Sequence, residues 1–270
     1  MTRALFDFNR ATVDVPDLRL ARLRRFNLVM GALHLVSGLA MVVLGNDFSL
    51  SVTTLNLNGP PGTPVAQGTL SQATEVPLAW GTALFLFLSA FFHFLIASPV
   101  GFRGYGAELR RGRNRFRWVE YSLSATLMIV LIAMVTGILD LAALIALAVA
   151  NIAMILFGWL MEMVNAPDHR TWWTPFWFGC VAGIGPWVAI AAYLVVNLNQ
   201  AGAQGPPTFV YGIIVSIFVF FNTFAVNQWL QYRQVGRWAD YLFGEVVYIV
   251  LSLVAKSVLA WQIFANTLID

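Results

Sequence analysis

Seven apolar runs, each about as long as a membrane-spanning helix, limit what this chain is able to fold into. They are separated by polar segments and lie at 24–45, 76–97, 116–138, 141–163, 174–196, 208–230 and 241–266. An α-helix needs about 20 apolar residues to cross the hydrocarbon core of a bilayer. In a chain of 270 residues with 59% hydrophobic and 11% charged side chains, little sequence remains for a soluble domain. We therefore predict an all-α integral membrane protein, built as a bundle of seven transmembrane helices.

The segment between the first two runs, 46–75, is the one long predicted loop. Its sequence FSLSVTTLNLNGPPG alternates apolar and polar residues before an Asn-Gly-Pro-Pro turn, which predicts a small β-hairpin over the mouth of the bundle. Residues 1–23 carry arginines and scattered acids without an apolar core, so we do not interpret them as a cleavable signal peptide. We divide the chain into an N-terminal segment, 1–23, and a single seven-helix domain, 24–268.

The arginines predict the orientation of the bundle in the cell membrane. Six lie in the N-terminal segment through Arg25 and six more between Arg103 and Arg117, and the remaining three are Arg170, Arg233 and Arg237. All of these segments are on one side of a seven-helix bundle, and the loops on the other side carry none. Because arginine and lysine in short loops favour the cytoplasmic side, the N-terminus is predicted inside and the C-terminus outside. The same pattern explains the basic composition without invoking nucleic acid.

Lys256 is the only lysine among 16 lysine and arginine residues, and it lies inside the apolar run YIVLSLVAKSVLAWQIF. A primary amine forms a Schiff base with an aldehyde, whereas a guanidinium does not. Burial among apolar side chains favours the neutral, reactive form of the amine. The leading hypothesis is therefore covalent attachment of a carbonyl ligand to Lys256.

Other ionisable or polar groups within the runs are costly in a bilayer and indicate functional positions. Helical spacing puts Ser252 and Glu245 on the same face of the seventh run as Lys256. In the third run the embedded acid is Glu120, followed on the same face by Ser124. Along the helix axes, Glu120 and Lys256 differ in depth by about 9 Å, a gap that two long side chains can bridge. Glu120 is the nearest carboxylate to neutralise a buried ammonium, although such a pair also occurs merely to hold helices together.

Two histidines lie within the first two runs. Ser89 and His93 are four residues apart on the second run and point the same way, and His34 lies on the first run. Each histidine has two readings: a core residue hydrogen-bonded to a neighbouring helix, or part of a proton network beside the amine. The residues alone do not choose between them.

A lysine in the middle of the seventh helix and a glutamate early in the third resemble the microbial rhodopsins. The predicted orientation and the segments FRWVEYSLS, MILFGWL, PFWFGC and FVYGII resemble the heliorhodopsin family in particular. The resemblance extends over nearly the whole chain from the first helix onward.

This resemblance implies a cofactor and a set of site residues. All-trans-retinal would be bound to Lys256 as a protonated Schiff base, with Glu120 as its counterion and Ser252 and Ser89 nearby. His34 and His93 would belong to a polar cavity on the cytoplasmic side. Matching segments suggest four further residues of the retinal pocket, namely Tyr121, Met154, Trp177 and Phe221. The family also implies a homodimer formed partly through the hairpin.

We predict a light sensor in which retinal isomerises from all-trans to 13-cis and the conformational change signals to an unidentified cytoplasmic partner. Net ion transport is not expected, since the outer half offers no titratable group between Lys256 and the surface. One alternative is a light-driven proton pump or channel that uses water and hydroxyl groups instead. Another is a small-molecule transporter with Lys256 as a substrate or proton site, but the inverted repeats typical of transporters are not recognisable. An enzyme is not predicted, because no metal-ligand spacing, nucleophile motif or phosphate loop is present.

Overall fold

The computed structural model describes residues 12–165, 170–200 and 208–265. Its α-helices are α1 (Asp17–Leu44), α2 (Leu78–Ala97), α3 (Pro99–Arg110), α4 (Arg115–Val135), α5 (Leu141–Val164), α6 (Thr174–Gln200), α7 (Thr208–Tyr232) and α8 (Tyr241–Ile263). Within these described ranges, every helix except α3 is long and apolar enough to cross a membrane. The predicted seven-helix membrane fold is therefore confirmed.

The first helix begins earlier than its apolar run. α1 starts at Asp17 directly after Pro16, inside the segment that we predicted to precede the domain. Its 28 residues make a helix about 42 Å long, whereas the hydrocarbon core is about 30 Å thick. The first two turns are thus helical but too polar to be found by a search for apolar runs. Residues 1–11 of the predicted N-terminal segment, and 266–268 of the predicted domain, lie outside the described residues.

The arginine-rich segment between the second and third predicted runs contains a helix, α3, that was not predicted from the sequence. α3 follows α2 after a single residue, Ser98, whose hydroxyl accepts a hydrogen bond from the Gly101 amide at 3.0 Å. Serine at the N-cap followed by proline at the first helical position is a strong helix start. Tyr105 and Leu109 of α3 are buried against Leu20 of α1. The loop therefore closes one end of the bundle.

The predicted hairpin is confirmed. Strands β1 (Ser49–Asn56) and β2 (Thr69–Pro77) pair antiparallel, with a bulge after Val52. Val52 is buried in the main hydrophobic cluster, and the Thr53 amide donates to the Leu139 carbonyl at 2.8 Å. These contacts attach the hairpin to the turn between α4 and α5.

The spanning helices form a ring in which α4 lies between α2 and α5. α1 packs on α2, α2 on α4, α4 on α5 and α5 on α6, while α8 packs on both α7 and α1. α2, α4 and α8 are the most buried of the spans, and α6 and α7 the least. Trp187 of α6 meets Phe218 and Phe221 of α7 edge-on, with ring centroids 5.2 and 5.5 Å apart. Polar side chains on α2, α4 and α8 are consequently held in the interior.

Close approach of α4 and α5 depends on Gly158. A Cβ atom at this position would lie 2.5 Å from the ring of Trp118, which is buried and hydrogen-bonded to Glu162 at 2.5 Å. Small residues at helix contacts allow this kind of approach in membrane bundles. Trp118 has little freedom to move aside.

Replacing Gly158 with alanine is therefore expected to destabilise the bundle, by about 1–3 kcal/mol for an overpacked site. Thermal unfolding in detergent measures the effect. Gly212→Ala is the matched control, since a Cβ there meets no other atom within 4 Å. Equal stability of the two variants would show that this contact does not limit α4–α5 packing.

Candidate functional site

Lys256 lies at the centre of a buried polar cluster formed by three helices. Its side chain on α8 is 3% exposed, and Nζ donates to Glu120 Oε1 on α4 at 2.5 Å. Nζ also donates to Ser89 Oγ on α2 at 2.6 Å and to Ser252 Oγ, one turn earlier on α8, at 3.0 Å. The structure thus brings together four residues that were singled out from the sequence.

Glu120 is held by more than the ammonium. Its Oε1 atom accepts hydrogen bonds from Ser89 Oγ at 2.6 Å and from Ser124 Oγ at 2.7 Å. An ionised carboxylate is an acceptor-only group, and charge-assisted hydrogen bonds of this kind are the strong ones. The arrangement therefore favours an ionised Glu120 facing a cationic nitrogen.

The two histidines lie on the α1–α2 side of this cluster. His93 Nδ1 is 2.7 Å from Asn27 Oδ1, and the ring of His34 stacks on that of His93 with centroids 5.5 Å apart. His34 is fully buried, and neither of its ring nitrogens has a hydrogen-bond partner among the described residues. His93 is therefore hydrogen-bonded to a neighbouring helix, as expected for a core histidine. His34 contacts the cluster through its stacking on His93.

A small polar cavity lies next to Lys256 on the side of α3. Its volume is about 30 Å³, and its walls include His93, Glu120, Ser252 and Glu245. That volume is enough for a single water molecule. Tyr105 of α3 also lines it, and burial raises the pKa of the Tyr105 hydroxyl, so the phenol stays protonated. The cavity connects the Lys256 cluster to the end of the bundle closed by α3.

A larger, apolar cavity of about 310 Å³ lies on the other side of Lys256. Side chains from α4 to α8 line it, among them the predicted pocket residues Tyr121, Met154 and Phe221. Lys256 is in its wall, with Nζ 5.2 Å from the centre of the Tyr121 ring. The Tyr121 hydroxyl is held by the Tyr248 carbonyl at 3.1 Å. An amine at the wall of an aromatic-lined cavity is suited to hold an apolar aldehyde.

Trp177 does not line this cavity, contrary to the prediction. Its side chain is 59% exposed, whereas its neighbour Phe176 and Trp187, further along α6, contribute to the wall. Successive residues on an α-helix are rotated by about 100°, so the residue beside a cavity-facing one points elsewhere. Helix rotation is determined by packing, which a matching segment does not reveal.

A second buried charge cluster, which was not predicted from the sequence, joins α4, α5 and α8. Arg117, which was counted among the loop arginines, is 5% exposed and donates to both Glu162 of α5 and Glu245 of α8. Trp118 Nε1 and Asn114 Nδ2 donate to the other oxygens of these carboxylates, at 2.5 and 2.8 Å. The sequence contained a signal for this cluster, because Glu162 is an acid inside an apolar run and needs a buried partner. Glu245 was predicted to share a helix face with Lys256, but its carboxylate forms an ion pair with Arg117.

A metal centre is not indicated in the part of the chain that the structure describes. No group of three or more histidine, cysteine, aspartate or glutamate side chains is arranged there to hold a metal ion.

Two solved structures have the same fold. The rhodopsin of Exiguobacterium sibiricum aligns over 91% of this chain and 95% of its own, with 15% identity and a TM-score of 0.58. A thermophilic rhodopsin aligns over 91% of both chains, with 16% identity and a TM-score of 0.58. At such low identity the likeness shows the seven-helix fold alone.

Sequence comparison gives a more specific result. No curated protein sequence matches the chain. The model of the heliorhodopsin family, however, matches residues 23–268, which is nearly the whole chain. This protein therefore belongs to the heliorhodopsin family.

Proposed function

We propose that this protein is a light sensor that binds all-trans-retinal through Lys256, with Glu120 as the counterion. The observation that carries the proposal is the contact of 2.5 Å between Nζ of the only lysine and a buried carboxylate. Membership of the heliorhodopsin family supports a retinal photoreceptor. Retinal, bound as a protonated Schiff base, would supply visible absorption and isomerisation to 13-cis.

The described residues around Lys256 fit a retinal Schiff base, with an apolar cavity for the polyene and polar partners for the nitrogen. Tyr121, Met154, Trp187 and Phe221 line an apolar cavity of about 310 Å³, within the usual size range of small-molecule sites. Toward α2 and α4 the ammonium of the same lysine contacts polar partners, Ser89 and Glu120. An apolar molecule would therefore occupy one side of Lys256 and leave its nitrogen facing Glu120.

Glu120 would stabilise a positive charge on the nitrogen of Lys256. In the low dielectric of a helix bundle, a carboxylate at hydrogen-bond distance interacts strongly with such a charge. Ser89 and Ser124 fix the orientation of the accepting oxygen. Because the carboxylate is already oriented, no rearrangement is needed to hold the charge.

The distribution of polar groups supports a sensor rather than a pump. The polar cavity with His93 and Glu245 lies on the α3 side of Lys256. Toward the hairpin, the acids of the described residues are Asp47, Glu75 and Asp140, which lie in a loop, in β2 and at the N-cap of α5. A proton leaving the nitrogen of Lys256 would find acceptors on one side only. A light-driven pH change in a cell suspension, abolished by a protonophore, would contradict this conclusion.

We further propose that the N-terminus is cytoplasmic, that the protein forms a homodimer, and that it signals to a cytoplasmic partner. Arginine placement supports a cytoplasmic N-terminus, with α3 and its neighbouring arginines available to a cytoplasmic partner. The hairpin exposes Leu55, Leu57 and Leu70, each more than 40% accessible. Exposed leucines on a hairpin outside the bundle suit a contact with a second copy.

Expression with all-trans-retinal is expected to give a visible absorption band that hydroxylamine bleaches under illumination. Lys256→Ala should lack the band entirely, because the chain has no other lysine. Lys256→Arg is the matched control, since it keeps a cation beside Glu120 but cannot condense with an aldehyde. It should fold and remain colourless. A visible band in either variant would refute covalent binding at Lys256.

Neutralising the counterion tests the role of Glu120. In Glu120→Gln the band should move to longer wavelength, because the ground-state charge at the nitrogen loses its stabilising partner. The band should also be lost to deprotonation at a lower pH than in the unsubstituted protein, as expected when a nearby negative charge is removed. Glu108→Gln removes a buried carboxylate that pairs with Arg113, and should leave both properties unchanged. An unaltered spectrum and titration in Glu120→Gln would exclude it as counterion.

A further inference from the structure

A groove separates the first turns of α1 and α8. It has a volume of about 330 Å³ and opens to the surface of the bundle. Four apolar side chains form most of its walls, and two arginines of α1 lie at one end of it. The lining residues are Arg19, Arg22, Leu23, Phe26, Leu242 and Val246. None of these residues belongs to the Lys256 cluster or lines the polar or apolar cavity beside it.

The length of α1 determines how deep this groove lies in the membrane. If Leu44 marks one edge of a hydrocarbon core about 30 Å thick, a rise of about 1.5 Å per residue puts the other edge near Arg24. Phe26 then lies just inside the hydrocarbon. Arg22 and Arg19 lie about 3 and 8 Å beyond its edge, at the depth of the lipid headgroups. The groove thus passes from the headgroup layer into the acyl layer.

The charges beside the groove leave one cation uncompensated. Arg19 pairs with Asp240, the N-cap residue of α8, at 2.5 Å. Arg22 is exposed, and the structure gives it no acidic partner among the described residues. The nearby Asp17 is paired with Arg110 at 2.8 Å. Two arginines and one aspartate give a net charge of +1, which matches a single phosphodiester.

We propose that this groove binds one anionic glycerophospholipid. Its phosphate would lie against Arg22, with Arg19 beside it, because guanidinium groups bind phosphate through paired donors. One acyl chain would cover Leu23, Phe26 and Val246. A free phosphate leaves these apolar walls in water, whereas a lipid covers them, so the lipid is the better occupant. With the N-terminus inside, the groove faces the leaflet that is rich in anionic lipid.

Native mass spectrometry of the full-length protein tests this site. The protein is transferred to mixed micelles with equimolar phosphatidylglycerol and phosphatidylcholine of identical acyl chains. We expect one phosphatidylglycerol per chain to be retained in preference to phosphatidylcholine, and Arg22→Gln to reduce that preference several-fold. Arg103→Gln is the matched control, because Arg103 is an exposed arginine of the same end of the bundle that does not line the groove.

Two further experiments distinguish the contribution of the acyl chain to binding from that of the phosphate headgroup. Val246→Trp fills the groove while both arginines remain, and it should lower retention of phosphatidylglycerol even if Arg22→Gln does not fold. Inorganic phosphate in excess should not displace the lipid. Equal retention of both lipids, equal losses in the Arg22 and Arg103 variants, unchanged retention in Val246→Trp, or full displacement by phosphate would each overturn the proposal.

Discussion

The ion pair between Lys256 and Glu120 is the interaction on which the rest of the interior depends. An ammonium within a membrane bundle is costly unless a carboxylate and further hydrogen bonds compensate it. Here Glu120, Ser89 and Ser252 provide that compensation from α4, α2 and α8. These three helices are the most buried spans, so the pair determines which of their faces point inward.

A second ionic contact joins the same two helices with the opposite polarity. α4 contributes the cation Arg117 one turn before Glu120, and α8 contributes the anion Glu245 three turns before Lys256. Glu162 brings α5 into the cluster, and the Tyr248 ring covers the guanidinium at 3.9 Å. Two such contacts at different depths prevent α8 from sliding or rotating against α4. Lys256 is therefore held between a polar cavity and an apolar one.

Much of this arrangement could be predicted from the sequence because the bilayer imposes strong constraints. Span length predicts the helices, strand alternation with an Asn-Gly-Pro-Pro turn predicts the hairpin, and the cost of a lone buried charge predicts that Lys256 meets Glu120. The rotation of each helix about its axis could not be predicted in this way, because it depends on packing against the neighbouring helices. For that reason Phe176 and Trp187 line the cavity while Trp177 points away. Arg117 was misread because an arginine near a span end looks the same in sequence whether it faces water or two glutamates.

Borohydride reduction under illumination can show whether retinal is attached covalently to Lys256. Reduction converts a Schiff base into a stable secondary amine, so retinal remains attached through proteolysis. We expect peptide mapping by mass spectrometry to find the retinyl group on the peptide that contains Lys256 and on no other. A label on the N-terminal amine, or no label in a coloured preparation, would contradict covalent attachment at Lys256.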